Sequence, residues 1–124
     1  MNMARRYKAH YSLDAWRLAF EFVPVAYALA RQFPADERYE LSSQLRRAAT
    51  SVVLNIAEGA GRHSSPDFSR FLVIARGSIV EMDTLLLLAE KMSYISIIQT
   101  EEALAALDHI TALVNGLIRK HSTI

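Results

Sequence analysis

The sequence predicts an all-α fold, an antiparallel up-down-up-down four-helix bundle. Apolar residues recur at three- and four-residue spacing through four stretches, the period of an amphipathic helix. No stretch alternates with the two-residue period of a strand. Glycine and proline, four and three in 124 residues, fall mainly at the breaks between the stretches. Four helices joined by short connections pack side by side with alternating direction.

The first helix is expected over about 14–33. Ser12 is placed to cap it, and Asp14 suits the positive end of the helix dipole. Trp16, Ala19, Phe20, Val23, Tyr27 and Ala30 form its apolar set. Pro24 lies inside this pattern, removes one backbone donor and should kink the helix. Residues 33–39, FPADERY, make the first turn.

The second helix is expected over about 38–60. Leu41, Leu45, Ala48, Ala49, Val52, Val53, Ile56, Ala57 and Ala60 share one face. Gly59 and Gly61 read as its C-terminal signals. The third is expected over about 66–92, with Ser65 as N-cap, Pro66 at the first position and Asp67 in the first turn. Phe68, Phe71, Leu72, Ala75, Ile79, Met82, Leu86 and Ala89 form its main stripe. The fourth is expected over about 101–121. Thr100 is its cap, and Leu104, Leu107, Ile110, Leu113, Val114, Leu117 and Ile118 point inward.

A chain of 124 residues is the size of one domain. The bundle is assigned to 12–124, preceded by an arm, 1–11, expected to be solvated and partly disordered. The arm carries Arg5, Arg6 and Lys8 and no acid. A domain of this size buries roughly two-thirds of its unfolded surface and needs no staples. It has no cysteine, which removes disulfides and thiolate metal sites and fits a reducing cytoplasm. No apolar run follows the basic N-terminal residues, so a secretory signal is not expected. The longest apolar runs, such as 85–89, are far too short to span a membrane. The expected location is cytoplasmic.

The net charge of +1 argues against a strong, indiscriminate polyanion binder. The charge is uneven, however. Residues 1–63 hold nine Lys/Arg and six Asp/Glu, and 64–124 hold five and seven.

Enzyme motifs fail. There is no phosphate-binding GxxxxGK[ST], and Gly59-Ala60-Gly61 ends a helix instead of opening one. His10, His63, His109 and His121 lie in loops, near termini or alone, with no HxxxH or ExxH pair for a bundle metal site. No serine has an evident base partner. No cofactor and no small-molecule substrate are expected, and the chain is read as a non-enzyme.

Two residue sets exceed what a bundle needs. Val73, Val80 and Leu87 repeat every seven residues on a second side of the third helix, and Leu54 adds to them on the second. These four are the expected subunit interface. The other set is polar. Asn55, Glu58, Arg76 and Glu81 are expected to form a buried interhelical network, because a buried charge without a partner costs several kcal/mol. Gly77, in mid-helix, costs about 1 kcal/mol relative to alanine and suggests close approach of another backbone.

The segments Leu13-Asp14-Ala15-Trp16, Leu41-Ser42-Ser43-Gln44-Leu45-Arg46-Arg47-Ala48-Ala49, Asn55-Ile56-Ala57-Glu58-Gly59, Ile74-Ala75-Arg76-Gly77-Ser78 and Leu113-Val114-Asn115-Gly116-Leu117-Ile118 carry a family likeness. The chain resembles the four-helix proteins encoded in intervening sequences of bacterial large-subunit ribosomal RNA genes. Relatives of that family include the accessory variability determinant protein of diversity-generating retroelements. The resemblance implies a four-helix protomer, a ring-like homopentamer and a role near RNA or a reverse transcriptase. It makes Arg46, Arg47 and Arg62, with Arg5, Arg6 and Lys8, the candidate nucleic-acid contacts. Pro24 and the near-neutral charge depart from the pattern of these relatives. Two functions are therefore expected: an oligomeric scaffold that binds RNA or an RNA-associated protein, or a purely protein–protein ring.

Overall fold

The computed structural model describes residues 8–122. They form four helices: α1 (Asp14–Ala30), α2 (Leu41–Ala60), α3 (Ser65–Lys91) and α4 (Ile97–His121). Short 3-10 turns at Ala9–Ser12 and Ala35–Glu37 complete the regular structure, and no strand occurs among the described residues.

α1 starts where it is expected, and the other three helices start one to four residues from the expected positions. Leu13 precedes α1 without a side-chain cap, and the Ser12 hydroxyl instead donates to the Ala9 carbonyl inside the first 3-10 turn. Ser64, not Ser65, caps α3 and accepts from the Asp67 amide. α4 starts at Ile97 because Ser96 and Gln99 form a reciprocal capping box. Thr100 is therefore inside the helix, buried, with its hydroxyl on the Ser96 carbonyl. α1 runs through Pro24, which lies on its exposed side, where water can satisfy the freed carbonyl.

Helices adjacent in sequence are neighbours in space. α2 and α3 share the most extensive packing, and α1 and α4 the least. The Ser42 hydroxyl at the start of α2 donates to the Ala30 carbonyl at the end of α1. Gly59 near the end of α2 lies against Phe68 and Phe71 near the start of α3, and Ser51 meets Ser78 at mid-helix. Ser65 and Ser69 at the start of α3 meet His121 and Ser122 at the end of α4. At the opposite end Phe33 packs on Tyr94, whose hydroxyl donates to Glu37 at 2.7 Å. That hydrogen bond pushes the Tyr94 hydroxyl pKa up to about 12.

Leu45, Ile56, Leu72, Met82, Leu86 and Leu107 are completely enclosed at the centre. Each such side chain contributes about 1.5–3 kcal/mol over leaving it in water. The buried arc of α1 differs from expectation. Phe22, Ala26 and Leu29 are buried, whereas Phe20 is 48% exposed. The helix also packs against α4, where Phe22 and Leu29 line a groove with Gln99, Glu102 and Ala103.

Two glycines exchange roles relative to the sequence reading. A Cβ on Gly59 would stand 2.8 Å from Phe68 Cδ1 and 2.9 Å from Phe71 Cβ. Gly59 is thus a contact glycine that lets α3 approach, not a terminal signal. Around Gly77 an added Cβ would meet nothing within 4 Å. No backbone approaches Gly77 within the protomer.

Candidate interaction surfaces

The four polar residues read as one network do not meet within the protomer. Asn55 donates to the Ser51 carbonyl at 2.9 Å and to the Ser51 hydroxyl at 3.1 Å. Ser51 in turn shares a 2.8 Å hydrogen bond with Ser78 of α3. Glu58 pairs with Arg62 one turn on, at 3.0 Å, with both side chains about half exposed. Arg76 points the other way and donates to Asn115 of α4 at 3.0 Å. Glu81 is exposed and has no ion pair or hydrogen bond among the described residues. The reason is angular. Ser78 lies on the α2 side of α3 and Arg76 on the α4 side, so the two side chains serve different seams.

The seam between α3 and α4 also brings Asp83 towards Asp108. Burial, with a smaller contribution from the Asp108 charge, pushes the Asp83 carboxyl above the usual aspartate range. Among the described residues no group of three or more His, Asp or Glu is placed to hold a metal ion.

The candidate nucleic-acid contacts among the described residues do not form one surface. Arg5 and Arg6 lie outside the described residues. Lys8 is exposed beside the start of α1. Arg46 donates to the Arg38 carbonyl, and Arg47 is exposed on the first half of α2. Arg62 lies beyond the far end of that helix. Roughly 22 Å of helix separates Arg47 from Arg62. Arg62 instead joins Arg70: their guanidinium groups lie 4.8 and 4.7 Å from the Phe71 ring. Arg70 was not among the expected contacts. Its cue was Phe71, flanked by cations on the preceding loop and turn.

The four residues expected at a subunit interface are all exposed in the protomer: Leu54 at 65%, Val80 at 60%, Leu87 at 48% and Val73 at 44%. They occupy two different faces. Val73, Val80 and Leu87 line the outer side of α3, together with open Gly77. Leu54 lies on the rim of a groove of about 600 Å³ between α1 and α2. Phe20, Val23, Pro24 and Val53 complete its apolar wall. The groove is absent from the sequence reading because Phe20 and Val23 had been assigned to the core.

The family model described as 23S rRNA-intervening sequence protein matches residues 11–116. The chain belongs to this family. A solved structure from Bacteroides thetaiotaomicron, a protein of unknown function from the S23 ribosomal protein family, superposes with a TM-score of 0.77. It is 27% identical, and the alignment covers 85% of this chain and 98% of that one. No curated protein matches the sequence. The family match covers α1, α2 and α3 and runs to Gly116, five residues short of the end of α4, so the likeness concerns the bundle itself. No helix among the described residues is long and apolar enough to cross a membrane.

Proposed function

We propose that this 23S rRNA-intervening sequence family protein is a non-enzymatic, self-assembling helical scaffold of the cytoplasm. The protomer is an antiparallel up-down-up-down bundle, a direction supported by the end-to-start contacts along each seam. The observation that carries the reading is the pair of exposed apolar faces. An aliphatic stripe on α3 and an apolar groove between α1 and α2 are left open on one small chain.

The two faces differ in shape. If stripe meets groove, each copy uses one face to bind the next. Such a contact closes into a ring when the rotation permits, and a pentamer is the ring size that the family resemblance implies. The ring would act near RNA or an RNA-associated protein such as a reverse transcriptase. The alternative is a protein–protein ring without nucleic acid, which the near-neutral charge and the separation of Arg47 from Arg62 favour.

Light scattering coupled to gel filtration tests the assembly. The parent chain should elute as a single closed oligomer. Val80→Lys or Leu87→Lys should release folded monomers or aggregate. A folded, monodisperse monomer for the parent chain sinks the scaffold reading.

A further inference from the structure

The charges of the bundle are segregated along its axis. Among the described residues, at the end where α2 passes to α3, Lys8, Arg17, Arg62, Arg70, Arg119 and Lys120 face only Asp14, Glu58 and Asp67. At the opposite end the ratio inverts. Arg31, Arg38, Lys91 and Arg46, which donates to the Arg38 carbonyl, face Asp36, Glu37, Glu40, Glu90, Glu101 and Glu102. A net charge of +1 conceals this polarity.

The cations of the first end are drawn together by packing. The groove at the start of α1 is lined by Ser12, Asp14 and Lys120, so the last turn of α4 lies beside the start of α1. His121 hydrogen-bonds Ser65 and rests on Phe68, which brings the same turn to the start of α3. The guanidinium groups of Arg62 and Arg70 both lie over the Phe71 ring. Arg17, Arg62 and Arg70 each share a carboxylate, with Asp14, Glu58 and Asp67. Lys8, Arg119 and Lys120 have no ion pair among the described residues. The excess charge therefore resides on those three. Cations in the last turn of α4 suit its helix dipole. That explains Arg119 and Lys120 singly but not Lys8, Arg62 and Arg70 at the same end.

We propose that this end of the bundle docks on the phosphodiester backbone of a nucleic acid. Lys8, Arg119 and Lys120 make the phosphate contacts, and the Phe71-stacked Arg62 and Arg70 present guanidinium edges at the border. Arg46 and Arg47, in the other half of the molecule, take no part. The proposal sharpens the RNA-linked form of the scaffold reading by moving its contact surface. Only its multivalency rests on that reading: copies in a ring would present the basic end on one side and raise avidity.

The test is fluorescence anisotropy with a labelled hairpin RNA and a DNA duplex of equal length, from about 50 to 200 mM salt. Binding to either should weaken steeply, since each phosphate contact adds roughly 0.7–0.9 to the salt slope. Arg119→Gln with Lys120→Gln should lose about tenfold in affinity at low salt and flatten the slope. Arg46→Gln with Arg47→Gln should bind like the parent. RNA alone, or both ligands, supports the backbone reading, and preference between them identifies the source. No binding at 50 mM, equal loss from the two double variants, or equal retention on phosphatidylserine vesicles overturns it. Light scattering on the same samples separates this failure from a failure of assembly. Circular dichroism verifies that each variant is folded.

Discussion

α3 packs against neighbours on both flanks, and the two flanks are built differently. Towards α2 the contact is close and uncharged. Gly59 admits Phe68 and Phe71, and the polar bridge is the Ser51–Ser78 hydroxyl pair. Towards α4 the contact is spaced by longer polar groups. Arg76 reaches Asn115, Ser65 reaches His121, and Asp83 approaches Asp108. The first flank is sensitive to volume, because a close-packed seam has no room to relax. The second is sensitive to charge, because partly buried ionisable groups feel one another with little screening. One helix thus shows two ways of holding a bundle, and they should fail under different perturbations.

The largest effect belongs to the close flank. Gly59→Ala places a methyl under 3 Å from Phe68 and Phe71, against a rigid ring and a Cβ, and should cost about 1–3 kcal/mol. Gly77→Ala on α3 has open space and should gain up to ~1 kcal/mol in a folded monomer from helix propensity. Urea midpoints at equal m-values measure both. If the two alanines behaved alike, close packing would not be what distinguishes the α2 flank.

The polar flank should respond less. Arg76→Ala removes a half-buried hydrogen bond to Asn115 and should cost about 1 kcal/mol. A double-mutant cycle with Asn115→Ala isolates the pair. A coupling near zero would make the Arg76–Asn115 contact incidental and leave apolar packing to hold both flanks. A loss of several kcal/mol would instead mean that Arg76 has a buried carboxylate partner, in another subunit if not in its own.

Much of this architecture was legible in the sequence. The four helices were readable because their apolar periods are long and their breaks contain Gly, Ser and Pro. The α4 start was missed because Thr100 looked like a cap, while the capping box of Ser96 and Gln99 lay one turn earlier. The surfaces were harder to read. Seven-residue spacing found Val73, Val80 and Leu87, since periodicity reports a face directly. The polar network failed because the sequence gives no angle between helices. Asn55 and Arg76 are both polar and both half-buried, yet they serve opposite sides of α3. The basic end was hidden for a related reason. Lys8, the Arg62–Arg70 pair and Arg119 are distant in sequence, and only the packing of the helices brings them to one end.

The smallest effect is electrostatic and depends on pH. Burial first, and Asp108 second, hold the Asp83 pKa above its ordinary value of 3.8. Between the ordinary and the raised value the folded state binds more protons than the unfolded state. Stability therefore falls as pH rises through that window, and the whole cost is present above it. Asp83→Asn removes the charge and should raise the urea midpoint slightly at pH 7. The advantage should shrink as pH falls through the window and vanish below the ordinary aspartate value. Asp108→Asn removes only the lesser cause and should recover less. The close flank offers the control: the penalty of Gly59→Ala is steric and should not change over the same pH range. If Asp83→Asn instead destabilised the protein at pH 7, its carboxylate would be a favourable partner in the α3–α4 seam. The contrast between a flank limited by volume and a flank limited by charge would then have to be redrawn.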